Sequence, residues 1–221
     1  MTVALGRPTV RPATVEDLPA IERHMRAMLV ELGGHDPRFH ADVDDLAGAY
    51  LDQDDRVLLV SYAEDGTVAG TASVRPGGPQ PEYVPHWLAA RYASASVGQV
   101  CRVWVAPSAR RGGVGRTLAR AAVNWAVARF DIVCLHTNAS VPGALAFWRS
   151  FPGLVEVFDA RPDPWSTVHF EVAPPGEQYS VLQHGSLLTS AQRTSSPAAP
   201  SAGGARPRSR PPRAAPTRSA R

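Results

Sequence analysis

The period of hydrophobic and polar positions changes repeatedly between residues 9 and 173, and each change marks a predicted element. A short β-prone run, Thr9 to Pro12, precedes Thr14-Val-Glu-Asp17, the pattern of a helix start in which a threonine and an acid three residues later cap each other. Leu18, Ile21, Met25 and Met28 then recur at helical spacing, with Pro19 still in the first turns. The stretch from Asp42 to Tyr50 reads as a second, more acidic helix, separated from the first by the loop Gly33 to His40. Arg56 to Tyr62 and Thr67 to Val74 are β-prone and joined by Glu64-Asp65-Gly66, a hairpin signal. Arg75 to Ser96, with Gly-Gly-Pro and several further prolines, reads as an insertion carrying a short helix from His86 to Tyr92. Next come a strand from Gly98 to Val105 and a helix from Val114 to about Phe130, whose apolar stripe is Leu118, Ala121, Trp125 and Ala128. A strand over Asp131 to Thr137, a helix over Val141 to Ser150, and two strands, Leu154 to Phe158 and Thr167 to Val172, close the order. It predicts an α/β (α+β) domain over residues 1–173: a mixed, mostly antiparallel sheet with helices on both faces.

From about Pro174 the composition shifts to Pro, Ala, Ser, Gly and Arg. Such a segment buries too little apolar surface to offset its chain entropy, so residues 174–221 are expected to be a disordered basic tail. All 23 basic residues are arginine, and seven of them follow Glu177, the last acid. The other sixteen stand against twenty acids, so residues 1–177 carry a net charge of −4 and the basic character belongs to the tail. A mildly acidic body favours a cationic acceptor such as an amine. The tail lacks the aromatic interleaving of a single-strand binder, which speaks against a nucleic-acid partner. Cys101 and Cys134 sit in apolar strand-like runs and suit buried thiols of a reducing compartment. The opening residues lack a signal-peptide pattern, and no stretch approaches ~18 uninterrupted apolar residues, so a cytoplasmic protein without a membrane partner is expected. No metal-ligand spacing links His24, His40, His169 and His184 to one another or to the cysteines, and no metal is expected.

The most informative run is residues 100–118, where a strand enters a turn of arginines and glycines and then opens a helix. The first amides of a helix have no intrahelical partner, and the dipole is positive there, so this arrangement is suited to a phosphate. Gly113 and Gly115 let a ligand approach the backbone, and Arg110, Arg111 and Arg116 add positive charge. A Walker loop needs Gly at 110 and Lys at 116, both of which are Arg here. A dinucleotide fingerprint starting at Gly113 puts its third glycine on Leu118, with no acid at the end of the next strand. The pattern that fits without a gap is V-x-P-x-x-R-x-x-G-V-G-R-x-L, on Val105, Pro107, Arg110, Gly113, Val114, Gly115, Arg116 and Leu118. It resembles the central strand, turn and helix with which the GNAT superfamily of N-acetyltransferases holds the pyrophosphate of acetyl-CoA. A second resemblance lies in Ala144-Leu-Ala-Phe147-Trp148, which is similar to the A-x-x-F-Y part of a family motif; Val141 stands where the family has Asn, and Trp148 where it has Tyr.

The resemblance implies acetyl transfer from acetyl-CoA to a primary amine of a small molecule or peptide. It assigns the pyrophosphate to residues 110–117, including Gly112 and Thr117. The backbone of Val103, Trp104 and Val105 would meet the thioester and pantetheine arm, with Asn138, Phe147 and Trp148 flanking the arm. Many members carry an acid on the central strand to deprotonate the amine through water. Gln99-Val-Cys-Arg102 has none, so the base candidates are Glu82 and His86 in the insertion and His35 and Asp36 in the loop after the first helix. Without the family tyrosine, protonation of the leaving thiolate falls to water or to Tyr83 or Tyr92. These departures also leave open a catalytically weak or inactive acyl-CoA sensor, and a homodimer is compatible with the pattern.

Overall fold

The computed structural model describes residues 8–173, together with 180–181 and 187–188. The sheet strands are β1 (Val10–Pro12), β2 (Val57–Tyr62), β3 (Val68–Pro76), β4 (Val97–Val105), β5 (Ile132–Asn138), β6 (Leu154–Asp159) and β7 (Thr167–Val172). They form one seven-stranded sheet in the order β1-β2-β3-β4-β5-β7-β6, antiparallel except where β4 meets β5. The helices are α1 (Leu18–Glu31), α2 (Pro37–Asp44), α3 (His86–Ala93), α4 (Val114–Val127) and α5 (Ala144–Arg149). Thr14 and Asp17 form the expected capping box, in which the Asp17 carboxylate accepts from the Thr14 amide at 2.8 Å. The expected tail lies outside the described residues, apart from an antiparallel ladder between Ser180–Val181 and Leu187–Leu188. Among the described residues, no helix is long and apolar enough to cross a membrane.

One boundary differs in a way that shapes the site. Gly33 and Gly34, at φ +105 and +111, turn the chain out of α1, and a new helix starts at Pro37, inside the stretch expected as loop. Asp36 caps it by accepting from the Arg38 amide at 3.0 Å, with Pro37 preset for the first turn. The predicted helix from Asp42 to Tyr50 is instead the end of α2 followed by a π-type turn at Ala47–Leu51.

Alternation along the strands sorts the core into layers. Leu118, Ala122 and Ala126 of α4, with Trp148 of α5 and Phe151, pack on Val100, Val133, Leu135, Val168 and Phe170. On the opposite face, Ile21, Met25 and Leu29 of α1 and Val43 of α2 cover Leu58 and Val60. Farther along that face, Leu88 and Tyr92 of α3 cover Val97 and Cys134. Between these two covered areas the same face presents a polar run from β3, β4, β5 and β7: Ser73, Arg75, Gln99, Cys101, His136 and His169.

Candidate functional site

Two irregularities of β4 create the site. The first is its short pairing with β5, which covers only Val97 with Ile132, Gly98 with Val133 and Gln99 with Cys134. Beyond those pairs β4 runs on to Val105 and β5 to Asn138 without a shared ladder, so the sheet opens at its centre. The second is a bulge: Cys101 pairs with Ser73 and Trp104 with Thr71, leaving Arg102 and Val103 opposite Ala72 alone. The bulge reverses the alternation, so that Val103 and Val105 pack toward α4 while Trp104 packs toward α1.

Arg102 adopts φ +53, a left-handed conformation uncommon for a non-glycine residue. Its guanidinium is held in two places on α2, donating from Nε to Asp42 Oδ2 at 2.9 Å and from Nη2 to Asp42 Oδ1 and the Phe39 carbonyl. Asp42 also accepts from the Tyr50 hydroxyl, which in turn accepts from Ser73 at 3.1 Å. Burial opposes the Asp42 charge, but the Arg102 guanidinium prevails and the carboxyl is held below its usual range. The side chains of Arg102 and Asp42 are 12% and 10% exposed, so removing one partner would strand a buried charge.

On the other side of the opening, α4 begins at Gly113, whose φ of +82 is costly for any residue with a Cβ. The first amide near this start to find a carbonyl is that of Thr117, on Gly113 at 3.0 Å. Among the described residues, the amides from Gly112 to Arg116 have no acceptor. A Cβ at Gly115 would lie 3.2 Å from Val105 Cγ2 and 3.8 Å from the Phe147 ring, so glycine allows the helix start to sit close to the end of β4. Five unpartnered amides at the positive end of a 14-residue helix fit the pyrophosphate of acetyl-CoA.

The arginines expected around this cradle divide. Arg110 turns back to α1, donating to Glu31 at 2.6 Å and to the Val105 carbonyl at 3.2 Å. Arg116 reaches Ser150 Oγ at 3.1 Å and lies over the Phe147 ring. Arg111, at φ +67, makes no ion pair among the described residues, which leaves its charge free for an anion. The Thr117 hydroxyl donates to Gly113 O, and Asn138 Oδ1 is taken by the amide and hydroxyl of Ser140. Phe147 stands at the cradle, whereas Trp148 is buried in the core, edge-on to it at 4.8 Å.

The proposed proton-transfer groups are scattered. Asp36 is held by Arg38 and by its cap hydrogen bond, which lower its pKa to about 2 and make it a poor base. His35 pairs with Asp44 at 3.1 Å. Glu82 lies exposed in the short helical turn Pro81–Tyr83, and His86 is exposed at the first position of α3. Tyr92 is no candidate acid: it is buried beneath α3, and burial pushes its phenol well above the usual value.

Sequence reasoning missed two clusters because each joins distant segments. Phe39 of α2, Tyr83 of the insertion and Trp165 of the β6–β7 loop form a three-ring group, with centroids 6.2 Å apart for Phe39 and Tyr83, 5.9 Å for Phe39 and Trp165, and 5.3 Å for Tyr83 and Trp165. Tyr83 and Trp165 remain 41% and 46% exposed, so the rings form a rim. In the second cluster, Arg75 donates to Gln99 Oε1 from Nε and Nη2 at 3.2 and 3.1 Å, and Gln99 Nε2 lies 3.1 Å from His136 Nδ1.

The family model of the Acetyltransferase (GNAT) family matches residues 20–151, a span that contains the cradle, the bulge and the opening of the sheet. The chain belongs to the GNAT acetyltransferase family. The fold is shared with a GNAT-family acetyltransferase from Staphylococcus aureus Mu50, at 10% identity and a TM-score of 0.55 over 74% of this chain and 97% of that one. A GCN5-related N-acetyltransferase from Kribbella flavida aligns at 22% identity and a TM-score of 0.52, covering 75% and 96% of the two chains. A phosphinothricin acetyltransferase from Sinorhizobium meliloti, solved in complex with AcCoA, aligns at 19% identity and a TM-score of 0.53, covering 75% and 88%. No curated protein matches the sequence. Membership in the GNAT family implies acyl-CoA-dependent acetyl transfer, and the expected fold class is the one observed. Among the described residues, no group of three or more His, Cys, Asp or Glu is arranged to hold a metal ion.

Proposed function

We propose that this GNAT protein transfers the acetyl group of acetyl-CoA to a primary amine of a small molecule or peptide. The observation that carries the reading is the opening of the sheet after Gln99 and Cys134, with the free amides of α4 on one side and the polar run on the other. The amides of 112–116 and the Arg111 guanidinium would hold the pyrophosphate, and Phe147 would flank the arm as it enters the opening. Acetyl-CoA supplies the activated acyl group. The protein aligns it, offers amides of the bulged segment Val103 to Val105 to the thioester oxygen, and excludes competing water.

The acceptor would enter past Phe39, Tyr83 and Trp165. Aromatic faces there give an amine's apolar body a surface, and their negative quadrupoles favour its cation before it loses a proton. That proton leaves to water at the mouth, and Glu82 and His86 are exposed groups that could relay it. Calorimetric titration of the full chain with acetyl-CoA, followed by thiol release over a panel of amines, tests the reading. Binding with release on an amine supports it, binding without release on any amine points to an acyl-CoA sensor, and no binding overturns both.

A further inference from the structure

His136 stands at the edge of the opening, two residues beyond Cys134, the last residue of β5 paired with β4, and the residue is open to solvent on one side. A histidine in such a place reads first as a general base. Its hydrogen bonds argue otherwise. A guanidinium carries only donors, so the Gln99 atom that Arg75 holds at 3.1 and 3.2 Å is the amide oxygen. The Gln99 atom 3.1 Å from His136 Nδ1 is therefore the amide nitrogen, which can only donate. Nδ1 accepts that bond, and the hydrogen of the neutral ring lies on Nε2.

The surroundings oppose the alternatives. An Nδ1–H would point at the amide hydrogens of Gln99, and an imidazolium would do so while facing like charge. The protein packed around the ring is the main opponent of a cation on His136, and the like charges of Arg75 from β3 and Arg102 from β4 add to it; the His169 ring of β7 stands 5.6 Å away. His169 itself is buried and held neutral, and no carboxylate pairs with His136 among the described residues.

We propose that His136 acts in acetyl transfer as a neutral hydrogen-bond donor through Nε2–H, toward the charge that develops on the thioester, and that Arg75 and Gln99 are positioning residues that fix its tautomer. This rests on the acetyl-transfer reading above. In the step, the amine lone pair forms the C–N bond, the C–S bond breaks with its pair on sulfur, and the surplus amine proton passes to water. His136 keeps its own proton throughout, because the one lone pair on its neutral ring is already engaged by Gln99.

Long-range proton–nitrogen correlation spectra of the full chain at pH 7, with His136 assigned by difference from His136→Gln, read the tautomer without turnover. The expected result is a bare Nδ1 and a protonated Nε2, changing to a tautomer mixture in Gln99→Leu. An Nδ1–H tautomer or an imidazolium in the wild type would overturn the proposal. In thiol-release assays, His136→Ala should lower kcat by about 100-fold with the KM for acetyl-CoA unchanged. His136→Gln, whose side-chain amide also donates, should recover much of that loss with the wild-type pH profile. No recovery, or loss of a pH limb, overturns the donor role. Turnover by a wild type with the wrong tautomer sinks this proposal alone; the right tautomer with no thiol release on any amine sinks the transfer reading, and the donor role with it.

Discussion

The anion cradle at residues 110–117 and the relay of Arg75, Gln99 and His136 flank the same opening in the sheet, yet they are made of different material. The cradle is backbone: a left-handed Gly113 and amides left free by the helix start, all within eight consecutive residues. The relay is side chain, from three strands whose members lie 24 and 37 positions apart in sequence. A backbone site tolerates most side-chain changes and fails only when the chain's path or a glycine is altered. A side-chain relay transmits every substitution along its hydrogen bonds. The cofactor end of this protein should therefore be robust except at a few positions, and the acceptor end sensitive at many.

The sharpest way to break the contrast is Gly113→Glu. A Cβ there meets no neighbouring atom, so the variant bears only the cost of a left-handed non-glycine residue, about 1 kcal/mol, which the fold should survive; its carboxylate would face the bound pyrophosphate. Acetyl-CoA affinity should fall by about 100-fold, roughly 2.7 kcal/mol, in calorimetric titration. Wild-type affinity would show that the cradle has been misplaced.

Asp42→Ala tests the support beneath the bulge. It leaves Arg102 buried without its partner and should destabilise the protein by about 3 kcal/mol in urea denaturation. A loss below about 1 kcal/mol would mean that the strained residue needs no anchor.

His169 gives a pH test that reads stability rather than turnover. Burial holds its pKa at about 4 against an ordinary value near 6.5, and it is 2% exposed. The unfolded chain therefore binds the extra proton first as pH falls. The stability from this group is full above about pH 6.5 and is lost progressively toward pH 4. His169→Phe, stacking on Phe158 as the imidazole does at 5.8 Å, should flatten that part of the stability–pH curve. An unchanged slope would assign the acid sensitivity to other groups.

Smaller effects belong to the rim. Trp165→Ala should raise the acceptor KM by up to about tenfold while leaving that for acetyl-CoA alone, since an aromatic pair contributes about 0.5–1.5 kcal/mol. The double variant Glu82→Gln, His86→Gln should cost less than tenfold in kcat/KM, because water reaches the mouth without them. A loss of 100-fold or more would make one of them the general base.

The sequence alone determined the order of elements and the glycine turn that opens α4. Both depend on local physics: period 2 against period 3.6, caps such as Thr14 and Asp17, and a glycine at the left-handed start of a helix. Gly113, Gly115 and the run that follows Val105 are adjacent in the chain and in space, so reading one was reading the other. The tertiary structure decided the rest. Strand register set Arg75 beside Gln99 and the bulge reversed the direction of Trp104, while folding brought Asp42 under Arg102 and Phe39, Tyr83 and Trp165 to one rim. No local pattern announces such meetings, because a side chain's partner across a sheet is fixed by pairing and packing along the whole chain.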